Sequence, residues 1–214
     1  MKVLHLEARS EIELKEFDIS VLPKSVCIIT TIQYIDVLPQ LKNYLEKNNV
    51  SCIIGGQVLG CDASNALKHS DEVEAFIYFG SGRFHPIGLA KKTNKPLFTL
   101  NPAQQVLDKI SDEEVVNYTK RKTRAYTKFL TSTNIGVMIT KKSGQCQVQS
   151  PFDELFKLKE QFPDKKFYFL LADTFDFSEL ENFNFLDTTI NTMCPRIEED
   201  LFTLNIEDLK EFTN

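Results

Sequence analysis

Val26-Cys27-Ile28-Ile29-Thr30-Thr31 (VCIITT) is a six-residue run, mostly apolar and β-branched, with no polar alternation. A run this short and this uniform reads as a strand covered on both faces, the kind found inside a parallel sheet. Ile35, Leu38, Leu41, Tyr44 and Leu45 follow at helical spacing, with Pro39 near the first turn, where a missing N–H is tolerated. Ser51–Ile54, Ala75–Phe79 (AFIYF) and Pro96–Leu100 (PLFTL) repeat the short apolar run, and a short helix is predicted over Ile87–Lys92. The pattern pauses at Asn101–Asp112. A helix is then predicted from Asp112 to Leu130, with Ser111 as N-cap and Glu113 and Glu114 in its first turn. Ile135–Thr140 (IGVMIT), Phe167–Ala172 (FYFLLA) and Phe185–Thr192 read as further strands, and Phe152–Phe162 as a helix ended by Pro163. Strands alternating with helices at this spacing define an α/β fold of right-handed βαβ units. The expectation is two small Rossmann-like units with parallel sheets flanked by helices, over residues 1–106 and 107–214. The second begins with the connecting helix.

Composition narrows the function. With 214 residues, 42% apolar and 26% charged, the chain suits one mid-sized domain or two small ones. No apolar run approaches the ~18 residues of a membrane span, and the start carries Lys2, Glu7 and Arg9, so a cytoplasmic protein without signal or membrane association is expected. A net charge of −5 argues against direct nucleic-acid binding. HExxH, Walker A, GxSxG and GxGxxG patterns are absent, so phosphoryl transfer and serine hydrolysis have no motif support.

Six of the eight glycines fall within residues 55–88, five of them in the stretches GGQVLGC and GSGRFHP, each read as a loop following a strand, and Gly88 just beyond the second. Glycine is required where φ is positive or where something must approach the backbone closely, and parallel sheets bind ligands beyond their carboxyl ends. Ordinary turn glycine is the competing explanation. The five cysteines lack paired spacing. Cys27 and Cys52 lie inside apolar strands and read as small core residues. Cys146 falls near a turn and reads as a surface or edge position. Cys61 and Cys194 each follow a strand, one in each unit. Arg196 stands near Cys194, and a cation beside a cysteine favours the metal-binding thiolate, although two lone cysteines make a weak signal. His85 either orients a substrate or simply opens a helix. Lys120–Arg124 with Lys128 forms a basic patch on the long helix, either a solvated face or a docking surface for an acidic or ribosome-associated partner.

Taken together, Gly56-Gln57-Val58-Leu59-Gly60-Cys61, then Gly80-Ser81-Gly82-Arg83-Phe84-His85-Pro86, then Cys194-Pro195-Arg196 resemble the diphthamide biosynthesis enzymes, the archaeal-type 2-(3-amino-3-carboxypropyl)histidine synthases. Thr30-Thr31-Ile32-Gln33 fits the same pattern, and the resemblance runs from about residue 20 to 205. It implies a [4Fe–4S] cluster held by one cysteine from each of three similar domains. The open iron takes S-adenosylmethionine, and its reductive cleavage gives a 3-amino-3-carboxypropyl radical that attacks a histidine of translation elongation factor 2. By this resemblance Cys61 and Cys194 are the second- and third-domain ligands. Arg196 pairs with the methionine carboxylate, and His85 and Gln33 line the substrate pocket.

The family's first domain and its cysteine have no counterpart in these residues. The expectation is therefore the C-terminal part of a split radical enzyme, completed by a separate chain that carries the first domain and third cysteine and served by an electron donor. The alternatives are a catalytically incomplete family member acting as a binding or scaffolding subunit, and a nucleotide-binding α/β protein with structural cysteines. Met1–Ala8, whose pattern has period 2, is expected as an edge strand at the partner surface.

Overall fold

The computed structural model describes residues 4, 6–59, 62–142, 151–195 and 203–213, with only the backbone over 151–155. The chain forms two units, residues 1–116 and 117–214. In the first, β1 (Ser25–Thr30) leads through a 3-10 segment, Ile32–Val37, into α1 (Leu38–Lys47). Then come β2 (Ser51–Gln57), a single turn α2 (Ser64–Leu67), β3 (Ala75–Phe79), α3 (Phe84–Thr93), β4 (Leu97–Leu100) and β5 (Leu107–Lys109). The strand order is β2-β1-β3-β4-β5, parallel except for β5, which runs antiparallel to β4.

The uniform apolar character of VCIITT now has its cause. Val26 and Ile28 pack into a core with Leu38, Leu41 and Leu45 of α1. Cys27 and Ile29 point to the other face, into a core with Ala66, Phe76, Tyr78 and Leu89. A strand buried on both faces has no solvent side to mark with polar residues.

α4 (Asp112–Thr131) begins with a capping box: Glu114 N–H donates to Ser111 Oγ (3.2 Å), and Glu114 Oε2 accepts from Ser111 N–H (2.9 Å). The second unit continues with β6 (Asn134–Thr140), α5 (Pro151–Gln161), β7 (Lys166–Ala172), a 3-10 segment Phe177–Phe183, β8 (Thr188–Asn191), β9 (Thr203–Asn205) and α6 (Ile206–Thr213). Its order is β7-β6-β8-β9, all parallel. Its core gathers Ala125 and Phe129 of α4, Ile135, Val137 and Ile139 of β6, Leu158 of α5 and Ile206 and Leu209 of α6. Among the described residues no helix is long and apolar enough to cross a membrane.

Several expectations need correction. The unit boundary lies inside α4 at Val116/Asn117, not at 106/107. β5 pairs with β4, and Ile110 and Val115 pack into the first core, so this stretch belongs to the first unit. Gly55 and Gly56 lie within β2, not in the loop after it. The β1–β2 register shifts there, from Ile28↔Ile54 to Ile29↔Gly56, leaving Gly55 as the extra residue of a bulge. Gly56 has φ +78°, which glycine adopts without strain. Met1–Ala8 was expected as an edge strand, yet Leu4 and Leu6–Ala8 lie in no strand, and Leu4 and Leu6 are 81% and 83% exposed.

Candidate functional site

In both units the chain leaves the first strand for a neighbour on one side and returns to a neighbour on the other. The reversal opens a crevice at the carboxyl ends, between β1 and β3 and between β6 and β8, where ligands of such sheets sit. A threonine hydroxyl stitches each crevice. Thr30 Oγ1 donates to Phe79 O (2.5 Å), joining β1 to β3, and Thr192 Oγ1 donates to Met138 O (2.7 Å), joining the end of β8 to β6.

The first-unit crevice is bordered by the residues after β1 and β3. Gln33 lies in the 3-10 segment after β1. It is exposed, and its Nε2 donates to Ser10 Oγ (3.0 Å) while Ser10 N–H donates to Gln33 O (2.8 Å). His85 is the second residue of α3. It is half-buried, its ring between those of Tyr78 (centroids 5.9 Å apart) and Phe84 (5.5 Å). Gln33 and His85 therefore follow paired neighbouring strands at the same end of one sheet.

Gly80 is required there by close approach. A Cβ on residue 80 would sit 2.7 Å from Tyr78 Cζ and Oη, and Tyr78 is fully buried, so the ring has nowhere to swing. Gly80→Ala is expected to destabilise the chain by roughly 1–3 kcal/mol, the usual cost of overpacking, read as a lower urea midpoint. Arg83 anchors the same loop. Its Nη2 bonds Asp108 of β5, and its Nε lies 3.6 Å from Glu114 Oε1 of α4. Sequence reasoning did not single out Arg83. Its scarcity as one of five arginines, inside a glycine loop, was the available signal.

Cys61 and Arg196 lie outside the described residues. Leu59 and Asp62, on either side of Gly60-Cys61, exchange backbone hydrogen bonds of 3.0 and 3.2 Å. Asp62 Oδ1 accepts from Ser64 N–H (2.9 Å), and bonds from Ser64 hold the Asp62 carboxyl below its usual range.

Cys194 follows β8 at the second-unit crevice. It is half-buried and in no disulfide. The two residues before it are closed in, Thr192 at 1% and Met193 at 2% exposure. Cys27 and Cys52 differ from it in kind. Both are buried in the core, and burial pushes their thiols up to about 12. A metal centre needs thiolates that it can reach, so the described donor that fits is Cys194. Among the described residues no group of three or more His, Cys, Asp or Glu gathers as a metal site. Cys146 is also outside them.

Two α/β units whose parallel strands share one order, with the glycine-bearing segment after β3 and Cys194 after β8, define a Rossmann-like fold. The family model described as "Putative diphthamide synthesis protein" matches residues 1–213, and the chain belongs to that family. It is 36% identical over 183 residues to a 2-(3-amino-3-carboxypropyl)histidine synthase of Methanocaldococcus jannaschii, covering 85% of this chain and 48% of the relative. To the synthase of the same name from Pyrococcus horikoshii it is 27% identical over 192 residues, 86% of this chain and 54% of that one. A similar protein of Encephalitozoon cuniculi, 25% identical over 183 residues (81% and 50%), is named subunit 1 of such a synthase. The chain thus spans about half the length of the curated relatives it matches. The crystal structure of Dph2 from Pyrococcus horikoshii with a 4Fe-4S cluster shares the fold at TM-score 0.75 and 23% identity, over 90% of this chain and 58% of that one.

Proposed function

We propose that these two units are the C-terminal part of a 2-(3-amino-3-carboxypropyl)histidine synthase. It transfers a 3-amino-3-carboxypropyl group from S-adenosylmethionine to a histidine of translation elongation factor 2, the first step of diphthamide synthesis. The observation that carries the reading is Cys194, a half-buried thiol at the carboxyl end of β8, where the strand order reverses. Cys61 and Cys194 supply two of the three thiolates of a [4Fe–4S] cluster, the kind of cluster present in the Pyrococcus horikoshii Dph2 crystal structure. When bound, the cluster supplies the electron for reductive cleavage of S-adenosylmethionine. This chain's residues then bind and orient. Arg196 takes the methionine carboxylate as a bidentate guanidinium pair. His85 and Gln33 border the first-unit crevice, with Gln33 held by Ser10. The third thiolate comes from outside these 214 residues, from the family's first domain, and an external donor reduces the cluster. The subunit name of the Encephalitozoon cuniculi relative supports a multi-chain assembly.

Anaerobic reconstitution tests the reading. The isolated chain is expected to bind little iron and sulfide and to leave S-adenosylmethionine intact, and adding the first-domain chain restores both properties. Full activity of the isolated chain on elongation factor 2 would remove the split. An assembly that binds elongation factor 2 yet never takes up iron would instead support the scaffolding subunit.

A further inference from the structure

A line of buried polar side chains runs from α4 to the Cys194 loop, all within the second unit. Lys122 Nζ donates to Asp208 Oδ1, and Asn205 Nδ2 donates to Asp208 Oδ2 (3.3 Å). Asn191 Nδ2 donates to Asn205 Oδ1 (2.8 Å) and to Cys194 O (3.2 Å), and Asn191 Oδ1 accepts from Met193 N–H (2.9 Å). Asn191 is 0% exposed, and Asn205 and Asp208 are each 4% exposed.

Nothing in the packing of this unit calls for so much buried polarity. A buried ion pair is generally no more stabilising than well-packed apolar residues of the same volume, and a buried amide costs free energy unless it is fully bonded. What the polar set does, and an apolar one cannot, is hold two backbone groups. Asn191 is the last residue of β8 in the ladder, opposite Met138 on one side and Asn205 on the other. Met193 N–H and Cys194 C=O lie beyond that ladder, and one amide grips both. The orientation of the amide is fixed, because its oxygen faces a donor and its nitrogen faces two acceptors. Asn205 fixes Asn191, and the Lys122–Asp208 pair fixes Asn205.

We propose that Asn191 is a positioning residue for Cys194, held in register by Asn205, Asp208 and Lys122, so that the thiol is presented to a cluster in one preset geometry. The proposal rests on the reading of Cys194 as a ligand. Ligand groups held rigidly by the residues behind them bind metals more tightly than loose ones.

The test begins on the 214-residue chain without iron. Asn191→Ala removes the acceptor of Met193 N–H and the donor to Cys194 O and Asn205 Oδ1. Losing these bonds is expected to speed hydrogen exchange at Met193 and iodoacetamide alkylation of Cys194 by roughly tenfold. The β6 amides of Val137 and Met138 report the fold and keep their protection. Lys122→Met/Asp208→Leu replaces the ion pair by apolar residues and cuts the line at its far end. It is expected to loosen the loop in the same direction, by a smaller factor. In the reconstituted assembly, Asn191→Ala should shift the g-values of the reduced cluster. Unchanged exchange and alkylation in both variants overturn the proposal. So does a parallel loss of β6 protection in both, since the line would then serve the fold alone. A loosened loop in an assembly whose wild type takes up no iron supports the positioning of the loop and overturns the ligand reading instead.

Discussion

Cys194→Ala, and separately Cys61→Ala, is expected to reduce the iron–sulfur absorbance of the reconstituted assembly to background, while Cys27→Ala and Cys146→Ala leave it intact. Three thiolates leave one iron open for substrate, and removing one leaves too few ligands to retain the cluster. Cys27 cannot substitute. It is fully buried between Ile29 and Ala66, and its Sγ lies 2.6 Å from where a Cβ on residue 55 would sit. Burial pushes its thiol up to about 12, far from the thiolate that iron requires. Its loss is felt as packing, about 1 kcal/mol in a urea titration. Iron and sulfide analysis with electron paramagnetic resonance distinguishes the two kinds of cysteine. Iron lost in Cys146→Ala and kept in Cys61→Ala would reverse the assignment.

The second large effect is thermodynamic. Lys122→Met is expected to destabilise the second unit by about 3–5 kcal/mol, because it strands the Asp208 carboxylate in the core. The side chains of Lys122 and Asp208 are only 14% and 6% exposed. Burial disfavours the charged form of Lys122, but the Asp208 carboxylate outweighs it, and the ammonium is held above its ordinary value of 10.5. The folded chain therefore holds this proton more tightly than the unfolded one. The stabilisation is complete below about pH 10.5, the unfolded value, and is lost as pH rises through the folded value. Urea midpoints of the wild type should fall in that alkaline window beyond the fall seen in Lys122→Met. Parallel pH profiles would show that the pair contributes nothing. Lys122→Met/Asp208→Leu should recover most of the single-variant loss, since neither charge then remains buried.

Where the residues themselves carried the physical signal, the fold was legible. Ala75–Phe79 has the same bounds in sequence and structure, because five apolar residues in a row leave no room for another period. The long helix is placed to within a residue, because Ser111, Glu113 and Glu114 mark its start chemically. β5 escaped because Leu-Asp-Lys is three residues at a sheet edge, with two of them exposed. β9 and α6 escaped as well: Thr203–Asn205 is short and largely polar, and its burial comes from β8 and the Asn191–Asn205 bond. The strand expected over Phe185–Thr192 shrinks to Thr188–Asn191. Asp187, directly before it, accepts from Thr133 and Asn134 N–H instead of continuing the apolar run. Gln33 and His85 were singled out through loop motifs, and the structure sets them after neighbouring strands at one end of the sheet. Asn191 was not, since an asparagine in a β-branched strand announces that it needs partners without naming them.

Both units have the same arrangement of their parallel strands, with the second-, first-, third- and fourth-formed strands side by side. The two candidate ligands nevertheless leave this shared frame at different places. Cys61 follows the second strand of its unit, and Cys194 follows the third strand of its own. By strand order, the segment after β3 in the first unit, Gly80-Ser81-Gly82, is the counterpart of the segment after β8 that bears Cys194, and it contains no cysteine. A common strand order therefore does not dictate which strand end bears a cysteine: the same frame puts it after the second strand in one unit and after the third in the other.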